Sequence, residues 1–327
     1  MRERRCRILG PDHDGRLAAC AGWAMSRLER AADTARGAGK EPPPAGVSTV
    51  VRSIGTRRPQ KALTTYAHMD PAHCLVHGLF SHREDGERPK MDLYKEYAGV
   101  QIHFAVREAL DAYDLRVLVA IVALAGRDGV DETPEAPSAR LLWDGQVAAT
   151  LPGDSVTRSI QVSRRALLRE IGRVETGEAG KNAFASIQRM ADITLHCQTQ
   201  EWKWSSRLLG YVCPRARDEI TIVVNPRLAE AVGCGGQYAH LEMSALRDLS
   251  DIGVLLYHRL VGYVDRGGAR KVSLRTLAEY VWTDKAKTQN IAWKRPGKVE
   301  AAMQEIDALP GWSVRLDENN LFSISRR

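Results

Sequence analysis

The chain has no Cys-x-x-Cys pair: its cysteines, Cys6, Cys20, Cys74, Cys197, Cys213 and Cys234, are scattered. That distribution fits reduced thiols in a cytosol better than a disulfide scaffold, so a cytoplasmic location is expected. Long apolar runs are missing too. The longest, Leu115 to Ala125, contains Arg116 and falls well short of the roughly 18 to 20 apolar residues that a membrane span needs. Arg2, Arg4, Arg5 and Arg7 open the chain with no apolar stretch behind them, so no secretory signal and no membrane partner are expected. The G-x-x-x-x-G-K-[ST] loop that cradles phosphates is absent, as are G-x-S-x-G and H-E-x-x-H, and with them the commonest nucleotide, acyl and zinc chemistries. Asp-rich metal motifs for nucleotidyl transfer are also lacking. His73, Cys74 and His77 lie close together, but a zinc site needs about four ligands and no second cluster follows. The glycines between Gly233 and Gly236 lack the spacing of a dinucleotide loop. No enzyme, cofactor or metal is expected.

What remains is an ordinary globular composition, 44% hydrophobic and 27% charged over 327 residues, enough for two domains with sizeable cores. The net charge of +7 is unevenly placed. Thirteen of the 47 basic and six of the 40 acidic residues fall in 1–69, which leaves 34 of each sign in 70–327. The body of the chain is formally neutral, so a nucleic-acid reading must rest on where charges sit. Residues 1–69, with Pro42-Pro43-Pro44 and many Ala, Gly and Arg, read as a basic, flexible extension with one helix around 17–35.

From residue 70 the patterns become regular. Leu93 to Val106 alternates as a strand or hairpin. Asp111 to Ala125 is apolar on nearly every side, as a central helix is, with Asp111 or Asp114 near its start. Residues 126–150 read as a loop. Ser163 to Ile171 reads as a helix capped by Ser163. A glycine-containing turn over 172–180 follows, then a helix over 181–191 and strands over 193–198, 207–213 and 219–224. Helix, turn, helix and hairpin is the order of a winged helix-turn-helix. After Asn225-Pro226 the same order returns without a clear sequence repeat. There is a short helix to Val232, a strand over 238–243 and a helix over 251–264. A turn at Arg266-Gly267-Gly268 leads to a helix capped by Ser273, a helix over 296–309 and a terminal hairpin. The expected fold class is α+β, mainly α with β wings. Its two tandem winged-helix domains are expected at 70–224 and 225–327.

A major groove accepts one α-helix, read from near its N-terminus. Lys285, Lys287, Lys294, Arg295 and Lys298 crowd one stretch that holds no acid, and the helix dipole there favours phosphate. In the first domain Lys181, Asn182, Ser186, Gln188 and Arg189 are the expected outward positions. Asn and Gln can pair with adenine and Arg with guanine. Lys203, Arg215 and Arg217 flank the expected wing strands and suit phosphates. The second wing tip, Asp317-Glu318, does not.

Several strings strengthen the argument. They are Asp70-Pro71-Ala72-His73-Cys74-Leu75 with Gly78-Leu79-Phe80, then Gly235-Gly236-Gln237, LLYHRLVG at 255–262, LAEYVW at 277–282 and Gly311-Trp312-Ser313-Val314. In this order the chain resembles the RepC-type replication initiators of IncQ-like plasmids. The resemblance implies binding to direct repeats (iterons) in double-stranded origin DNA, opening of an adjacent AT-rich region, recruitment of a separate plasmid-encoded helicase with primase following, and no catalysis by the chain itself. Self-association on the repeats is a further possibility. Pro296-Gly297 stands where a more continuous basic helix start is expected in that family. A winged-helix transcription regulator is the competing reading, and a protein-interaction module a third. The sequence predicts that Lys294→Glu with Arg295→Glu abolishes repeat binding while thermal stability stays nearly unchanged, to be checked by mobility shift and melting side by side.

Overall fold

A computed structural model describes residues 62–84, 86–132, 157–201, 203–213, 218–234, 237–317 and 320–327. The helix expected around 17–35 lies outside these residues, as does most of the 126–150 loop. Residues from Lys61 to Arg327 form one compact unit.

The folded unit starts earlier than residue 70, because β1 (Tyr66–Met69) is paired and Thr64 is buried. The chain then forms α1 (Pro71–Leu75), β2 (Met91–Tyr97), β3 (Val100–Val106), α2 (Ala112–Asp128) and β4 (Val130–Glu132). The β2–β3 hairpin turns on Ala98 and Gly99, both at positive φ (51° and 76°), the conformation that a two-residue turn between twisted strands requires. Next come β5 (Thr157–Ser163), α3 (Arg164–Glu170), α4 (Gly177–Ala191), β6 (Thr194–Gln198), β7 (Lys203–Arg207), β8 (Leu209–Val212) and β9 (Glu219–Val224). The remainder is α5 (Pro226–Val232), β10 (Ala239–Glu242), α6 (Met243–Asp248), α7 (Asp251–Tyr263), β11 (Ala269–Ser273), α8 (Leu274–Val281), α9 (Gln289–Asp307), β12 (Trp312–Leu316) and β13 (Leu321–Arg326).

Two stretches repeat one connectivity. In the first, α2 leads to β5, α3 and α4, and the hairpin β8–β9 returns so that the strands order β5-β9-β8. In the second, α7 leads to β11, α8 and α9, and the hairpin β12–β13 returns in the order β11-β13-β12. Aligning the two reveals a repeat that the bare sequence hides. Val162-Ser163 with Leu167 and Ile171 matches Val272-Ser273 with Leu277 and Val281. The apolar members are all buried, and each serine ends a strand and caps the next helix, accepting a bond from Ala166 N or Thr276 N. The first stretch differs by β4, which adds a fourth strand beside β5, and by an inserted hairpin, β6–β7, which extends β2–β3 into a sheet ordered β2-β3-β6-β7.

Helix α2 is the central member. Leu115, Val117 to Leu124 and Ala125 are buried, because an almost wholly apolar helix must be covered on every side. Asp111 and Asp114 close a capping box at its start. Asp114 is fully buried, and it accepts from Arg88 Nη1 at 2.8 Å and from Arg189 Nη2 at 2.6 Å.

Charged contacts cross residue 224, where the two expected domains would meet. β1 pairs with β10. Asp70 accepts from Arg227 Nε at 2.6 Å. Buried Arg116 donates to the Leu249 carbonyl at 2.6 Å and to Asp251 at 3.3 Å. Burial alone would raise the Asp70 carboxyl, but hydrogen bonds and charge from His73 and Arg227 hold it well below the usual carboxylate range.

The structure also moves two expected boundaries and adds two strands. Helix α4 starts at Gly177, not 181, because Thr176 caps it and Gly180 is taken inside. β7 is an additional strand, and β11 occupies residues expected as a connection. Helix α9 starts at Gln289, seven residues ahead of Pro296. Removing the Asp114 carboxylate strands two arginines around a dry site, so Asp114→Ala should cost about 3 kcal/mol or more, read by chemical denaturation.

Candidate nucleic-acid interface

Thr288 caps α9, its side chain accepting from Ile291 N. The helix buries Val299, Ala302, Met303 and Ile306, a stripe confined to its second half. The first half projects from the core, and its N-terminal residues Gln289, Asn290, Trp293 and Lys294 are exposed, Trp293 to 81%. Pro296 is accommodated because its neighbours Lys294, Gly297 and Lys298 are exposed too, so water can take the carbonyl that proline leaves unbonded. No atom lies within 4 Å of a Cβ built on Gly297. Gln289, Asn290, Trp293, Lys294 and Gly297 follow one another at one- and three-residue steps, which places them on one side of a helix.

Of the five basic residues expected here, four face solvent. Lys285, Lys294 and Lys298 are exposed. Lys287 is exposed and approaches Glu87 at 3.8 Å. Arg295 does not join them. Its side chain, 12% exposed, turns back to Glu84 at 3.3 Å and to the Asp284 carbonyl at 2.8 Å, over the Trp282 ring at 5.0 Å. It fastens the connection before α9 to the body. The Lys298 charge lies close enough to His82 to add to burial in lowering that imidazole's pKa.

On α4, Lys181, Asn182 and Gln188 are exposed. Lys181 lies 3.6 Å from Glu178, and Gln188 donates to the Tyr211 hydroxyl at 3.4 Å. Two expected outward residues turn inward. Ser186 is fully buried, because it shares the stripe of Ala183, Ile187 and Met190. Arg189 is spent on Asp114. The buried stripe runs through Ala183, Ser186, Ile187 and Met190, with Phe184 only half-buried at its edge, so Ser186 falls inside it and Arg189 beside it. Lys203 is exposed at the first position of β7. Arg215 and Arg217 lie outside the described residues, in the connection between β8 and β9.

Gln289, Asn290 and Trp293 did not stand out in the sequence, since Pro296 there marks a helix start. Thr288 was the missed signal: a capping residue followed by polar and aromatic residues. The second sheet adds a cross-strand row of Lys271, Ser323 and Arg315. It flanks the acidic end at Asp317 with two exposed cations.

Two helices, each presented by the same strand–helix–helix–hairpin connectivity and each showing amides and cations to solvent, define a surface suited to nucleic acid. The replication protein C (RepC) family model matches residues 61–327. The chain belongs to that family, whose members are plasmid replication initiators. No curated protein matches it. It is similar to solved structures of RctB: the selenomethionine derivative of domains 2 and 3 (TM-score 0.49, 11% identity, 79% of this chain and 98% of that one), and a second structure of domains 2–3 (TM-score 0.44, 11% identity, 75% and 92%). Among the described residues no helix is long and apolar enough to cross a membrane.

The geometry separates two neighbouring charges. Arg295→Glu should cost about 2 kcal/mol, because it sets a carboxylate against Glu84 and Asp284. Lys294→Glu should stay within about 0.5 kcal/mol of the parent in the same denaturation experiment. The paired substitution therefore loses stability that the sequence did not foresee.

Proposed function

We propose that this RepC-family chain binds the direct repeats of a plasmid origin through two winged helices, 70–224 and 225–327, that share one core. Helices α4 and α9 read the major groove, and the hairpins β8–β9 and β12–β13 are the wings. The single observation that carries the reading is the duplicated connectivity, with an exposed amide-and-lysine face on the second long helix of each copy. On α9, Gln289 and Asn290 pair bidentately with adenine, a reading supported by their exposure at the helix start, and Gly297 lets the backbone approach a base edge. Lys294, Lys298, Lys285 and Lys287 contact phosphates around it. In the first copy Asn182 and Gln188 read bases, while Lys181, Lys203, Arg215 and Arg217 contact phosphates. Binding then strains the adjacent AT-rich duplex, at a cost of order 1–6 kcal/mol per site that the contacts must offset. A separate helicase and primase continue the reaction. This division of labour fits a chain without the G-x-x-x-x-G-K-[ST], G-x-S-x-G and H-E-x-x-H motifs, and the basic extension, shortened to 1–60 by the earlier start of the compact unit, adds non-specific phosphate contacts.

The test is a mobility shift of the full chain on direct repeats from its own replicon and on scrambled repeats, across a salt series. Tight binding to repeats only, falling steeply with salt, is the expected result. Asn290→Ala should lose about 1–3 kcal/mol of discrimination between the two DNAs. Lys294→Ala should weaken both by a similar factor and lower the salt slope by about one. Equal weak binding of the parent to both DNAs would refute the initiator reading of the two helices.

A further inference from the structure

One face of the sheet β2-β3-β6-β7 carries a feature that neither helix uses. The strand register aligns Tyr94, His103, His196 and Ser205 in a single row across all four strands. Tyr94 stacks on His103 with ring centroids 4.5 Å apart and 8° between planes. His103 stacks in turn on His196 at 5.4 Å and 24°. The neighbouring rows on the same face are Glu96, Gln101, Gln198, Lys203 and Asp92, Ala105, Thr194, Arg207. The alternate residues, among them Ile102, Phe104, Leu195 and Cys197, fill the core behind.

Three ring systems in one stack on an open sheet face do no packing for the fold, and Tyr94 is 74% exposed. The stack ends in two uncovered ring faces. One is the outer face of Tyr94. The other is the side of His196 towards Ser205, whose side chain is too small to cover it. A depression of about 750 Å³ lies over this surface, within the range of built ligand sites. Gln101 and Gln198 beside the row offer amide donors and acceptors to base edges.

The charge across the face has a direction. Lys203 and Arg207 lie on the outer strand β7. Arg207 also holds the Asp192 carbonyl and Thr194. Asp92 and Glu96 lie on the opposite outer strand, and Asp92 is bound to His103 at 2.7 Å. A polyanion backbone is therefore favoured along β7 and repelled from β2, with its bases directed over the ring stack. Only unpaired bases can present their faces to such a stack, because in a duplex both faces are already covered by neighbours.

We propose that this sheet face binds a segment of single-stranded nucleic acid, with bases stacking on the ladder of Tyr94, His103 and His196 and the backbone following Lys203 and Arg207. The site shares Lys203 with the duplex contacts proposed above, while its ring ladder and Arg207 stand apart from them.

Fluorescence anisotropy of the full chain tests it, with a labelled oligothymidine strand of about 12 nucleotides, inside the usual footprint of such surfaces. The parent should bind the strand in a salt-dependent manner. Tyr94→Ala with His196→Ala should weaken that binding tenfold or more, while affinity for duplex repeats stays within about twofold of the parent. Tyr94→Phe, which keeps the ring, should retain strand binding. Lys294→Glu should lose duplex and keep the strand. Should the double variant fail to fold, Tyr94→Ala alone carries the same comparison, since that side chain is outside the core. No strand binding by the parent, or parent-like binding by the ring variants, overturns the proposal. Equal loss on strand and duplex also overturns it, by assigning the face to duplex.

Discussion

The Asp114 carboxylate has no access to solvent, and three parts of the chain meet on it. It closes the capping box that starts α2, anchors Arg88 from the segment before β2, and receives Arg189 from the last turn of α4. Burying a carboxylate is costly, and two arginines with good geometry offset that cost without adding much net stability. The consequence is positional. Arg189 ties the last turn of α4 to the start of α2, and with the buried stripe of Ala183, Ser186, Ile187 and Met190 it leaves Lys181, Asn182 and Gln188 presented. The start of the central helix and the last turn of the first presented helix are joined by one contact.

Among the described residues, the second copy of the connectivity has no such buried carboxylate. It is joined to the first by Arg116, which reaches from α2 to the Leu249 carbonyl and Asp251 at the start of α7, while Asp70 with Arg227 ties the start of α1 to α5, outside both copies. These contacts bury charge between distant parts of the chain, and residues 61–327 form one compact unit and not two beads on a linker. Such a unit fixes the orientation of α4 and α9 with respect to the same core. A protein reading successive turns of one repeat would use that constraint. Arg295 shows the same economy at the edge of α9, where it ties down the connection that delivers the helix and leaves lysines to face outward.

Much of this was legible in advance because it is local. The Asp111 cap, the apolar α2, the Ser163 and Ser273 caps, the β2–β3 hairpin and the terminal hairpin all follow from periodicities and end signals within a few residues. The family resemblance was legible for the same reason, since it rests on short strings in a fixed order. The duplication was harder to see. A buried valine, a capping serine, two buried apolar positions and a capping threonine before the longer helix recur in both copies, too few to rise above chance until the topology aligns them.

By itself, the sequence determined the kinds and order of most elements, the basic stretch before and within α9, and the family to which the chain belongs. Tertiary structure decided which charges are available. Arg189 and Arg295 look like groove-reading residues in a linear string, but each is committed to a carboxylate or carbonyl far away along the chain. Thr288 outranks Pro296 as a helix start only because the first half of α9 stands clear of the core, where water can satisfy the carbonyl that proline leaves unbonded. The stack of Tyr94, His103 and His196 exists solely in the register of three strands, the last of them about a hundred residues from the first. No local pattern encodes it, because cross-strand neighbours are chosen by how the sheet closes and not by proximity along the chain.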